Sequence, residues 1–159
     1  MSSCVTIDGW RSNIRFSSAH IIHEYEKCGR LHGHTYAIHI KITGNPDNKG
    51  IIFDFSIIKD ILREIANRLD HYILIPEHSR IANIKKNKSN ITIKAMDKEY
   101  KFPKKDCILL PIESTSAENL ASYILDEVVN KLKNTNNLES IEIGIDEGYG
   151  QGAKIKKNI

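Results

Sequence analysis

His32-Gly33-His34-Thr35-Tyr36-Ala37-Ile38-His39-Ile40-Lys41-Ile42 reads as most of one β-strand, about His32 to Thr43. Ile38, Ile40 and Ile42 alternate with His39 and Lys41, the period of a strand with one buried and one wet face. Residues i and i+2 of a strand project from the same face. His32 and His34 therefore point the same way, and Gly33 leaves room between them. His39 has the opposite parity and reads as an outward polar residue.

Outward from this strand the elements follow in turn. On its N-terminal side, Ile14 to Ile22 (I-R-F-S-S-A-H-I-I) forms a second strand, separated by the polar stretch His23 to Arg30. The two are expected to pair antiparallel, which brings His20 toward His32 and His34. On its C-terminal side, Gly44-Asn45-Pro46-Asp47-Asn48 is a turn cluster. Phe55 to Leu69 then reads as an amphipathic helix, with Ile57, Ile58, Ile61, Leu62, Ile65, Ala66 and Leu69 on one stripe. Asp54 or Ser56 is its candidate cap, and Asp70-His71 follows its end. Ser116 to Leu132 is a second helix, with Leu120, Ile124, Val128 and Leu132 on one side. Thr115 and Glu118 have the spacing of a capping box. Ser140 to Asp146 alternates strictly as a last strand, followed by Glu147 and a glycine-rich stretch. Between the helices, residues 77–106 are polar and Lys-rich. Asn90 to Lys94 and Glu99 to Phe102 flank Asp97-Lys98 there, and the segment reads as a hairpin insertion too short to bury a core of its own. The whole is expected to be α+β, one domain over residues 1–159, with two helices on one face of an antiparallel sheet.

Composition narrows the function classes. A chain of 159 residues has the size of one ordinary domain. Its net charge of +3 is too small to mark a nucleic-acid-binding surface. No run approaches the ~20 apolar residues of a membrane span, and the N-terminus lacks the features of a signal peptide. The three cysteines, Cys4, Cys28 and Cys107, are odd in number and widely spaced. That pattern is expected of reduced thiols in a cytoplasmic protein.

The histidines carry the chemistry. Three neutral imidazoles from His20, His32 and His34 suit zinc and leave a fourth position open, the mark of a catalytic metal. His23 is the substitute if His20 does not reach, and His39 and His78 serve as controls. Cys28 lies four residues before His32. A thiol beside a metal and a histidine becomes a usable acid or base, although the same cysteine could serve as a fourth ligand and close the site. In Asp70-His71 a carboxylate can fix the imidazole tautomer and support a general acid. Glu147 could accept paired N–H bonds from a guanidine-like edge.

Together the motifs F-S-S-A-H (16–20), C-G-R-L-H-G-H (28–34), G-I-I-F-D-F (50–55), L-D-H (69–71), S-A-E-N-L-A (116–121) and D-E-G (146–148) resemble the 6-pyruvoyltetrahydropterin and 6-carboxytetrahydropterin synthase family. The resemblance covers most of the chain outside the insertion. It implies a tunnelling fold whose sheets join into a barrel in a homohexamer, with active sites between protomers. It implies Zn2+ on His20, His32 and His34, Cys28 as general base, Asp70 with His71 as proton relay, and Glu147 holding the pterin ring. Glu118 is a further candidate for the same pocket. The implied substrate is 7,8-dihydroneopterin triphosphate. The G-R-L spacing between Cys28 and His32 resembles the 6-carboxytetrahydropterin branch, which also releases acetaldehyde and triphosphate and feeds 7-deazaguanine (preQ0; queuosine and archaeosine) synthesis. The alternatives are the pyruvoyl branch and a zinc- and pterin-binding protein without turnover.

Overall fold

The computed structural model describes residues 3–133 and 135–159. In chain order the elements are β1 (Ser3–Ile7), β2 (Arg15–His20), β3 (His32–Gly44), α1 (Phe55–Leu69), β4 (Ile73–Pro76), β5 (Asn83–Lys86), β6 (Asn90–Ala95), β7 (Lys98–Pro103), β8 (Cys107–Leu110), α2 (Ala117–Lys131), β9 (Leu138–Glu147) and β10 (Gly152–Asn158).

The long strand β3 organises the molecule. Along one edge it pairs antiparallel with β2 through its first half and with β1 through its second. Along the other edge it pairs with β9, and β9 pairs with β10. Beyond β2 the sheet continues through β4 and β8. These last two run parallel, β4 to β2 and β8 to β4. The sheet is therefore mixed and not purely antiparallel. Each parallel pair is joined by a long connection, β2 to β4 through β3 and α1 and β4 to β8 through β5–β7, as parallel neighbours require.

Both helices pack against the β3 face that carries Tyr36, Ile38, Ile40 and Ile42, and their apolar residues share one core with them. In α1 the buried positions are Ile58, Leu62, Ile65, Ala66 and Leu69. Ile57 is half exposed, so the buried stripe is narrower than its sequence suggests. The helix begins at Asp54, whose carboxylate accepts the Ser56 N–H at 2.7 Å. The cap of α2 is Ser116, whose hydroxyl accepts the Asn119 N–H. The expected Thr115–Glu118 capping box is thus replaced by a cap one residue later.

The insertion is larger than a hairpin. β5, β6 and β7 form an antiparallel sheet of their own. Ala82, Ile91, Ile93 and Ala95 of this layer bury a small cluster with Ile75 of β4 and Cys107 of β8. The inserted layer has apolar support because it borrows a wall from the main sheet.

Candidate metal centre and substrate cavity

His20 ends β2, His32 opens β3, and the two are register partners. His34 follows on the same face. One nitrogen from each of the three lies within 4.8 Å of the others. His20 Nδ1 is 3.0 Å from the Thr115 carbonyl oxygen, and His32 Nδ1 is 2.7 Å from that of Arg30. A carbonyl only accepts, so each Nδ1 carries a hydrogen, and in the neutral imidazole the lone pair is then on Nε2. Those two Nε2 atoms are 3.1 Å apart. Facing lone pairs at that distance repel unless a proton or a cation lies between them. Two ligands on a tetrahedral zinc would be about 3.3 Å apart, and a carbonyl on the far ring nitrogen is the usual support for a ligating histidine. The residues therefore fit a metal ion. Burial lowers the His20 pKa to about 4, against the raising effect of the Thr115 carbonyl. Burial and then the neighbouring His32 also lower that of His34. Both rings are neutral near pH 7, the form that binds metal.

Cys28, Glu118 and Glu147 line one cavity of about 340 Å³, together with Ile22, Tyr25, Ser116 and Gln151. Cys28 is exposed on the loop between β2 and β3. Ser116 sets the start of α2 and so presents Glu118 at its first turn. Glu147 closes β9, opposite Tyr36 of β3. Its carboxyl is raised by burial, pulled back by His32 and raised again by Glu118. The glycine-rich stretch after it is the β9–β10 turn. Gly148 and Gly150 take φ values of +99° and +88°, which other residues rarely adopt. The Gly148 N–H donates to the Thr35 carbonyl at 3.1 Å, tying the turn back to β3.

Asp70 and His71 are knitted to β2. Asp70 Oδ1 accepts the Ser17 N–H, and the His71 N–H donates to the Ser17 carbonyl, each at 2.7 Å. Asp70 Oδ2 is 2.6 Å from His71 Nδ1. Burial raises the Asp70 carboxyl, but the Ser17 N–H and the His71 imidazole outweigh it and hold the pKa below the usual range. His71 has a φ of +63°, uncommon outside glycine and stabilised here by its bond to Ser17. Its imidazole is exposed and borders a hollow with Ser17, Gly33 and His34. That hollow is separate from the one lined by Cys28.

The family model for 6-pyruvoyl tetrahydropterin synthase matches residues 10–158. The chain belongs to this family. A protein of Methanocaldococcus jannaschii, provisionally named a 6-carboxy-5,6,7,8-tetrahydropterin synthase, is 40% identical over 156 residues, covering 96% of each chain. The 6-carboxy-5,6,7,8-tetrahydropterin synthase of Rickettsia conorii is 29% identical over 75% of this chain and 78% of its own. Among solved structures, the 6-pyruvoyl tetrahydropterin synthase of Plasmodium vivax matches with a TM-score of 0.90 at 30% identity, covering 100% of this chain and 99% of its own. A variant of that enzyme altered at a catalytic glutamate matches with a TM-score of 0.91 at 29% identity, over the same shares of the two chains.

Within this tetrahydropterin synthase fold the sequence-named residues fall into three places. His20, His32 and His34 form the imidazole cluster; Cys28, Glu118 and Glu147 share a cavity; Asp70 and His71 stand at the neighbouring hollow. His23 lies away from the triad, in a hollow beside the inserted sheet. His39 faces the other side of β3, where its Nδ1 accepts the Gly9 N–H at 3.1 Å and its Nε2 is 3.2 Å from Asp146. Two contributors were missed. Tyr36, two residues beyond His34 on the same face, places its hydroxyl 3.3 Å from His20 Nδ1; the strand parity that pairs the histidines would have found it. The Thr115 carbonyl had no signal in the sequence, because every residue carries one.

Proposed function

We propose that the chain is a zinc-dependent 6-carboxy-5,6,7,8-tetrahydropterin synthase. It acts on 7,8-dihydroneopterin triphosphate and one water and releases 6-carboxytetrahydropterin, acetaldehyde and triphosphate, a step of 7-deazaguanine synthesis in the cytoplasm. The observation that carries this reading is the meeting of the His20 and His32 lone pairs, supported by the adjoining cavity of Cys28, Glu118 and Glu147. A zinc ion held by His20, His32 and His34 would supply Lewis acidity toward the side-chain hydroxyls of the substrate. Glu147 accepts the N–H edge of the pterin, with Glu118 beside it. Cys28 takes a proton from the substrate side chain. His71, fixed by Asp70, delivers or holds the second proton. Cys28 stands outside the imidazole cluster, which favours an acid/base role over a fourth ligand position. The barrel, the homohexamer and an active site shared between protomers belong to the same proposal.

The second reading, 6-pyruvoyltetrahydropterin synthase, is favoured by the match to the Plasmodium vivax structure. Incubation with dihydroneopterin triphosphate separates the two. Acetaldehyde formed in step with triphosphate supports the carboxy reading. Triphosphate without acetaldehyde replaces it with the pyruvoyl one. Neither product, from a zinc-loaded protein that still binds pterin, leaves a binding protein.

A further inference from the structure

The loop that presents Cys28 is held at two successive peptide units. The Cys28 carbonyl accepts the Ile22 N–H at 2.9 Å, within the loop itself. The Gly29 carbonyl accepts a bond from outside: Lys98 Nζ, at 3.1 Å. Lys98 opens β7 at the turn of the inserted sheet, 69 residues further along the chain. Gly29 is buried, and a Cβ there would lie 2.0 Å from the Tyr25 carbonyl oxygen. Its backbone is thus pressed against the loop's own wall on one side and met by the ammonium on the other. The β6–β7 turn that brings Lys98 in has its own backbone device, Met96 at a φ of +56°. A cavity of about 300 Å³ between His23–Glu26 and this turn separates the two segments elsewhere. The Lys98 bond spans that gap.

We propose that the turn of the inserted sheet is a clip on the catalytic loop, with Lys98 as a positioning residue that fixes the Cys28–Gly29 backbone through the Gly29 carbonyl. The proposal rests on the reading of Cys28 as the proton-moving group. A bond from an ammonium is about twice as strong as one between neutral groups. Without it the Gly29 carbonyl turns to water, its peptide plane rotates, and the Cys28 thiol shifts with it. A displacement of about 1 Å at a reacting group can cost on the order of 10²-fold in rate.

The test compares Lys98→Met and Lys98→Arg with the wild type, all as zinc-loaded protein. Without substrate, Lys98→Met is expected to speed amide hydrogen exchange about tenfold at Ile22 and its neighbours, and Lys98→Arg to restore protection. With dihydroneopterin triphosphate, Lys98→Met is expected to lower kcat tenfold or more at unchanged KM and zinc content, with recovery in Lys98→Arg. Unchanged exchange in Lys98→Met overturns the clip. Faster exchange with unchanged kcat overturns its part in catalysis. A raised KM with unchanged exchange also overturns it, because Lys98 would then be holding substrate directly. If the wild type turns over no pterin, the reading of Cys28 fails, while the exchange measurement still decides whether the clip exists.

Discussion

His20 and His32 each commit one ring nitrogen to a backbone carbonyl, which leaves both remaining lone pairs aimed at one point. Removing either should empty the site, because two protein ligands hold zinc too weakly. His32→Ala is expected to lower zinc content, by elemental analysis, from about one per chain to near zero. Cys28→Ala is expected to keep the metal and lose on the order of 10³-fold in turnover, the scale of a removed acid/base group. Zinc lost with Cys28→Ala would make the cysteine a ligand. Glu147 gives a prediction of opposite signs. Burial raises its pKa in the folded chain. The folded state therefore binds this proton more readily than the unfolded one, and stability from the site is lost as pH rises through the raised pKa. At neutral pH Glu147→Gln should raise Tm by a small amount in the metal-free protein, and it should weaken pterin binding in the zinc-loaded one. Thermal melts and a pterin titration check it; a lower Tm would show that the carboxylate is structurally required. Much of this site was legible in the sequence, because strand parity fixes where His32 and His34 point. The Thr115 and Gly29 carbonyls were not, since a backbone acceptor has no sequence signature.

At the scale of elements, legibility follows pattern length. α1 matches its expected bounds, and α2 differs by a residue at each end, because a long 3.6-residue period leaves little freedom. β4 and β8 were missed. Each has only four residues, I-L-I-P and C-I-L-L, and parallel strands packed on both faces show no alternation to read. β10, Gly152–Asn158, is a lysine-rich edge strand whose Lys154, Lys156 and Lys157 mask its pairing with β9. The antiparallel sheet was expected because only the antiparallel members had visible patterns. The core on which the helices rest makes a measurable claim. Leu62 is fully buried at the centre of α1. Leu62→Ala should cost about 2–5 kcal/mol. In urea unfolding the midpoint should fall with an unchanged slope, and zinc content should persist because no ligand comes from α1. A loss under about 1 kcal/mol would mean that the helix seats less tightly than its burial implies.

For the whole molecule, the proposed relay of Asp70 and His71 has to meet the cavity that Cys28 lines. Cys28, Glu118 and Glu147 line one hollow, whereas His71 stands exposed at another, beside Gly33 and His34. Ser17 anchors the Asp70 carboxylate and the His71 backbone to β2, while the His71 imidazole is exposed; rotation of that side chain is one route to the thiol. A symmetric oligomer offers another route, in which one protomer's relay serves its neighbour's cavity. Mixing two inactive variants tests this directly. Cys28→Ala protomers retain the relay, and His71→Ala protomers retain the thiol. If each site draws on two chains, dissociating and reassembling an equal mixture should recover activity, to roughly a quarter of the wild-type sites by random pairing. If each site lies within one chain, no mixed assembly contains a complete site, and activity stays at the level of the separate variants. Size measurement before and after mixing must show reassembly in the same run. Recovery that peaks at the equal mixture and falls away on either side would then place the relay across the interface; no recovery at any proportion, with exchanged subunits, would return it to the chain that carries the thiol.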